Sequence, residues 1–131
     1  RLAKERGFDE ALLATPDDAI LESPTASIFW SPDGETLITP PLGDILASIT
    51  RAVIVQGLIA QGVAVQQRAT TRADLRSAGE AFLCSSVREV QAVGAIEDTE
   101  YDAPGPLTLL AKQALADAVA ARVAAGAANP V

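Results

Sequence analysis

The chain has 131 residues (13.5 kDa), of which 49% are apolar, 21% charged and 4% aromatic. That is enough for one domain with its own core, and too apolar for an intrinsically disordered segment. Ten Lys and Arg against 17 Asp and Glu leave a formal charge of -7, so neither nucleic acid nor an anionic membrane surface is expected as a partner.

The composition excludes whole chemistries. With no His in the chain, Ser-His-Asp and Cys-His catalysis and imidazole metal sites are ruled out within it. The single Cys84 can form no internal disulfide, which fits a reducing compartment without proving one. No run of about 18 apolar residues suggests a membrane span. The opening RLAKERGFDE lacks the apolar core of a signal peptide.

In chain order, residues 1–6 read as a helix end stopped by Gly7. Glu10–Thr15, Ala19–Glu22, Ala26–Trp30 and Thr36–Thr39 are predicted strands, and together they suggest an antiparallel meander. Ser31-Pro32-Asp33-Gly34 supplies tight-turn chemistry between the last two. From Asp44 the period changes: Ile45, Ile49, Val53, Ile54 and Leu58 recur at helical spacing, and Gly62 closes that helix. Val63–Arg68 reads as a strand. Thr71–Ala78 is a short helix with Thr71 as N-cap and Asp74 three residues on. Glu80–Cys84 and Val90–Ile96 are strands, the first buried. Leu107–Val123 is a helix whose Leu107, Leu110, Ala114, Leu115, Ala118 and Val119 share one face. The mixture is α+β, a single unit over residues 1–131.

Two places combine hydroxyls with free backbone amides. Ser48-Ile49-Thr50-Arg51 stands near a helix start, where first-turn amides and the helix dipole favour an anion; ordinary capping explains the same residues. Ser85-Ser86 follows a strand directly and can form an anion-binding nest, or a plain polar turn. Glu22 ends an apolar stretch and is either a solvated strand end or a partner for a buried cation or protonated ring nitrogen. Cys84 reads as a core residue, not a nucleophile. Arg51 and Arg88 suit structural or surface pairing better than ligand binding. Glu97-Asp98-Thr99-Glu100 reads as a solvated turn. The only lysines, Lys4 and Lys112, both read as solvated, so neither suits covalent catalysis.

Six ordered blocks resemble the class IV aminotransferases, the fold-type IV enzymes that use pyridoxal 5'-phosphate. Gly7-Phe8-Asp9-Glu10 followed by Ala11-Leu12-Leu13 resembles the family's G-x-D-E-A block. Glu22 through Phe29 resembles its E-x-x-x-x-N-hydrophobic-F block, with Ser27 where Asn is frequent. Leu37-Ile38-Thr39-Pro40-Pro41 resembles the strand ending in T-P-P. Leu46-Ala47-Ser48-Ile49-Thr50-Arg51 resembles L-x-G-I-T-R, with Ser48 in place of Gly. Glu80 through Glu89 resembles E-V-F-x-x-x-T-x-x-E, and Gly105-Pro106-Leu107-Thr108 resembles G-P-x-T.

The resemblance implies a cofactor-binding C-terminal domain of mostly antiparallel strands wrapped by helices. It implies that Glu22 bonds the pyridine nitrogen and that Leu46 packs on one face of the ring. Ile49 and Thr50 would hold the cofactor phosphate together with the Ser86 hydroxyl. It further implies that the Schiff-base lysine and a smaller N-terminal domain lie upstream of Arg1, making the chain truncated at its start and inactive alone. The expected activity is that of an amino-acid transaminase or a 4-amino-4-deoxychorismate lyase, as a cytoplasmic homodimer. Ile28-Phe29-Trp30 resembles the lyase branch slightly more. A non-catalytic binding or dimerisation module that keeps the fold without the lysine is the alternative.

Overall fold

Tight-turn chemistry and β-branched runs organise the centre of the molecule. The computed structural model describes residues 19–20, 22–23, 26–41, 49–85, 89–96, 99–101 and 103–128. In order these form β1 (Ala19–Ile20), β2 (Glu22–Ser23), β3 (Ala26–Ser31), β4 (Thr36–Thr39), α1 (Ile49–Ala60), β5 (Ala64–Gln67) and β6 (Thr70–Thr71). There follow α2 (Arg72–Arg76), β7 (Glu80–Ser85), β8 (Glu89–Ala92), β9 (Ala95–Ile96), β10 (Thr99–Glu100) and α3 (Pro106–Ala128). The expected helix end at residues 1–6 and strand at Glu10–Thr15 lie outside the described residues.

The main sheet has the order β5-β4-β3-β7-β8, and β2 also pairs with β3. All its pairings are antiparallel except β4–β5. That exception follows from the connection: parallel neighbours need a long crossover, and α1 supplies it. The β3–β4 turn is built by Asp33, whose Oδ1 accepts from the amides of Glu35 and Thr36, each at 2.8 Å. Those two bonds, Thr36 first, hold the Asp33 carboxyl below its ordinary pKa. Gly34 takes φ 77°, a conformation that favours glycine.

Of the expected meander only the adjacent pairings β2–β3 and β3–β4 form: β2 and β4 share one edge of β3 and β7 takes the other. β1 does not join the main sheet; it pairs antiparallel with β6, Ala19 opposite Thr71. The run expected over Val90–Ile96 also breaks, at Val93-Gly94. There the Val93 amide donates to Ala81 O at 3.0 Å and Gly94 O accepts from the Tyr101 amide at 2.9 Å, and β9 turns away to pair with β10. Thr99 and Glu100, expected in a turn, form β10 instead.

Both faces of the sheet are covered, which accounts for the unbroken apolar runs in β3 and β7. On one face Phe29 and Phe82 oppose each other across β3–β7 and stack at 4.9 Å, with Leu37, Ile54, Leu58, Leu107 and Ala111 around them. On the other lie Ile28, Trp30, Ile38, Leu75, Leu83 and Tyr101. Polar tips there are paired: Trp30 Nε1 donates to Thr70 Oγ1 at 2.9 Å, and the Tyr101 hydroxyl donates to Leu75 O at 2.6 Å. Burial raises the Tyr101 pKa to about 12. At α2, Thr71 and Asp74 exchange side-chain-to-backbone bonds, a complete capping box.

Helix α3 is fastened by a carboxylate from another element. Glu80, the first residue of β7, is buried. Its Oε1 accepts from the Leu107 amide at 3.0 Å, and Oε2 accepts from the Thr108 amide at 3.1 Å and hydroxyl at 2.9 Å. A side chain at Gly105 would collide with that carboxylate, so glycine is required for close approach. Farther along, α3 passes α1 so closely that a Cβ at Gly57 would stand 2.9 Å from the Ala114 Cβ.

This closeness corrects the predicted face of α3. Leu107, Ala111 and Ala114 are buried, whereas Leu110 and Val119 are exposed. Small residues face α1 because larger ones there would hold the two helices apart. Glu80→Ala leaves the Leu107 and Thr108 donors buried without an acceptor. At about 1–3 kcal/mol for each unsatisfied group, it should lower unfolding stability by about 3 kcal/mol or more in a urea titration. Glu80→Gln, which keeps one acceptor oxygen, should cost less.

Candidate functional site

One end of the main sheet gathers the candidate residues. Ser27 on β3 pairs with Cys84 of β7 along one edge. It also pairs with Glu22 of β2, which therefore lies along the other edge. Two strand spacings separate Glu22 from Cys84 across Ser27, about 10 Å. β2 can take this place because β4 ends at Thr39 and gives way to Pro40-Pro41, which have no amide to continue a ladder. The Thr39 hydroxyl, buried, donates to Ile28 O at 2.8 Å and fixes the end of β4.

Helix α1 packs on β7, and a bond from Arg51 in its first turn to Pro40 O sets its N-terminus beside the end of β4. Ile49 is 81% exposed and Thr50 is half-buried. Their amides have no acceptor within the helix, and the dipole makes this end positive. No acidic residue stands in α1's first turn to compete for those donors. By contrast, the start of α3 is filled by the Glu80 carboxylate. The donor set at α1, two amides and a hydroxyl, suits a phosphate.

Arg51 anchors that first turn. Arg51 is only 2% exposed, and its Nη2 donates to Pro40 O at 2.9 Å. It also acts electrostatically on Cys84 of β7. Burial pushes the Arg51 pKa down, with the neighbouring Cys84 opposing. Burial raises the Cys84 thiol to about 12, with Arg51 opposing. Cys84 is thus a core residue, as its place in the strand suggests. Ser85 ends β7 half-buried, and Ser86 follows it.

Of the sequence-predicted residues, Thr50, Ile49 and the backbone of Glu22 come to this one end. Leu46, Ser86, Arg88 and Lys4 lie outside the described residues. Lys112 is exposed on α3. Ile49 does not share the core stripe expected of it: the buried positions of α1 are Arg51, Ile54 and Leu58. The stripe is rotated, and a charged residue occupies its first position. Sequence inspection missed this because arginine is discounted as core, although the spacing Arg51, Ile54, Leu58 is itself helical.

Two other features escaped it. Glu80 binds α3, a role signalled only by a glutamate at a strand start and a G-P-x-T helix start far away in sequence. Glu89 has φ 59°, a left-handed conformation that costs a non-glycine residue about 1–2 kcal/mol. It begins β8 three residues after Ser86. Among the described residues there is no cluster of acids and Cys arranged for a metal ion, and no helix is long and apolar enough to cross a membrane.

The α+β fold, a mainly antiparallel sheet with helices packed on it, is that of the fold-type IV aminotransferases. Residues 1–96 match the amino-transferase class IV family. The chain belongs to that family. It is 31% identical to the branched-chain amino acid aminotransferase of Thermobaculum terrenum in its PLP-form, with a TM-score of 0.85, over 92% of this chain and 40% of that one. It is 35% identical over 99 residues to the mitochondrial branched-chain-amino-acid aminotransferase 1 of Arabidopsis thaliana, covering 73% of this chain and 26% of that protein. The aminodeoxychorismate lyase of Vibrio harveyi is 28% identical over 107 residues, covering 81% and 39%. The chain thus spans a quarter to two fifths of the length of these relatives.

The buried thiol gives a direct check on the packing at this end. With a pKa near 12, only about one thiol in ten thousand is ionised at pH 8. A thiol-specific reagent should leave Cys84 unlabelled in the folded protein and label it fully in urea. Stability should also fall as pH rises from about 9 towards 12. Over that range the unfolded thiol, with its ordinary pKa of 9.0, has released its proton while the folded one retains it. The slope is at most about 1.4 kcal/mol per pH unit. Tyr101 adds to it above pH 10, its ordinary value.

Proposed function

We propose that this chain supplies the pyridoxal 5'-phosphate-binding part of an amino-acid aminotransferase. The observation that carries the proposal is the row Glu22, Ser27, Cys84 across β2, β3 and β7, with α1 packed on β7 and its first turn bonded through Arg51 to Pro40 O at the end of β4. An acid and a phosphate-suited helix start thereby share one end of the sheet, as a ligand with a basic ring and an anionic tail requires.

In this proposal the Glu22 carboxylate accepts a bond from the protonated pyridine nitrogen and keeps it protonated. Leu46 packs on a face of the ring. The Ile49 and Thr50 amides and the hydroxyls of Thr50 and Ser86 hold the phosphate. When bound, pyridoxal phosphate supplies an electron-withdrawing ring that accepts charge from the substrate's reacting carbon. The lysine that carries it covalently lies in the full-length protein upstream of Arg1, and Lys4 and Lys112 take no part. The full-length protein is a cytoplasmic homodimer.

Transamination is preferred over lyase chemistry because the matching branched-chain aminotransferases are 31–35% identical to the chain and the aminodeoxychorismate lyase 28%. The lyase resemblance leaned on Ile28-Phe29-Trp30, and all three are buried within the sheet, at most 1% exposed. They contact other core residues, so they give no grounds for choosing a substrate.

The full-length protein with the cofactor should convert a branched-chain or D-amino acid donor with a 2-oxo acid acceptor. Pyruvate release from aminodeoxychorismate without any acceptor would instead establish the lyase. Cofactor binding with neither reaction would leave a non-catalytic module. Borohydride reduction followed by peptide mapping should label neither Lys4 nor Lys112. Thr50→Ala combined with Ser86→Ala should weaken cofactor binding by at least tenfold, since each lost bond to a charged group is worth about 1.5–3 kcal/mol.

A further inference from the structure

The buried carboxylate of Glu80 is held by three donors, two amides and a hydroxyl. Glu22, bonding a protonated ring nitrogen, receives one donor from its ligand, and a carboxylate shielded from water needs more. Its neighbour in the sheet carries a hydroxyl. Ser27 stands in direct register with Glu22 across β2–β3, and residues so opposed share a face, with Cβ atoms about 4.5–5.5 Å apart. On the other edge of β3, Ser27 is in register with Cys84. By strand alternation it lies on the face of Phe29 and Phe82, against which Ile54 and Leu58 of α1 pack. Ser27 is only 3% exposed, and its hydroxyl bonds to no described residue. Buried hydroxyls nearly always have a partner, and this one follows directly on the register to an acid.

We propose that Ser27 is a positioning residue for Glu22: its hydroxyl donates to the Glu22 carboxylate once the site is filled. The bond orients the carboxylate and favours its charged form, which strengthens its hold on a protonated ring nitrogen. This rests on the cofactor reading above and adds a residue to it. Ser27 does not touch the ligand. It acts through the acid alone, so its effect is confined to ligands that carry the ring nitrogen.

The experiment compares the affinity of the full-length protein for pyridoxal 5'-phosphate and for its 1-deaza analogue, which has carbon in place of the ring nitrogen, by fluorescence titration. The wild type should prefer the natural cofactor. Ser27→Ala removes the donor and Ser27→Cys leaves a weak one, both at little change of volume. Each should cut that preference about fivefold while affinity for the analogue stays unchanged. A preference equal to wild type overturns the proposal, as does equal weakening of both ligands, which marks a purely structural role. Ser27→Ala decides where the two variants differ, and Ser27→Cys decides should Ser27→Ala fail to fold by circular dichroism. A wild-type protein that binds both ligands alike instead overturns the pairing of Glu22 with the ring nitrogen, whatever the variants do.

Discussion

The Glu80 carboxylate at the start of β7 receives three donors from the first turn of α3. It is a buried charge, which is tolerable only because its oxygens are satisfied so fully. Gly105 makes the approach possible, and the turn at Gly34 lies against Pro106 beside it. From that fixed start α3 runs past α1, meeting it at Gly57 and Ala114 without space for another methyl group. The seating of α1 is therefore determined from behind by α3 and from the front by β7. A helix held on both sides can present its first turn at a constant place.

The same logic governs the sheet end. β4 stops because two prolines cannot continue the ladder, and its stub is tied down by Thr39 and Arg51. β2 occupies the vacated edge of β3, so a residue distant from β7 in sequence lies two strands from it. Neither face of the sheet is left to solvent, and Phe29 and Phe82 fill its centre by direct stacking. Function-bearing residues thus belong to the rim of a rigid element, the arrangement that gives a site accuracy.

Much of this was legible in the sequence where local rules dominate. The Asp33-Gly34 turn, the Gly62 stop of α1, the Thr71–Asp74 capping box and the buried β7 follow from residue types a few positions apart. What failed involved partners distant in the chain. β1 pairs with β6 instead of extending the meander, and β8 ends at Ala92, after which the Gly94 carbonyl accepts from the Tyr101 amide. The buried face of α3 is chosen by Gly57 on another helix, not by its own leucines. Arg51 escaped for a different reason: the spacing was visible, but burial of a guanidinium depends on a carbonyl 11 positions earlier that sequence does not reveal. For the candidate site, the residue types were legible and their convergence was not. It depends on Ser27 pairing on both edges.

The net charge of -7 bears on how such a site can hold an anion. At physiological ionic strength the protein's diffuse negative field is screened within about 8 Å, so it neither assists nor strongly opposes a ligand at the sheet end. Attraction must come from groups within that distance. First-turn amides and a hydroxyl meet this condition, and neither needs a lysine. Amides and a fixed helix lose little freedom on binding, whereas long exposed cations must be ordered first. An acidic chain with only two lysines can therefore grip a phosphate through its backbone, provided that the helix start is immobile. The two buried ionic groups, Glu80 behind α3 and Arg51 beneath α1, supply that immobility.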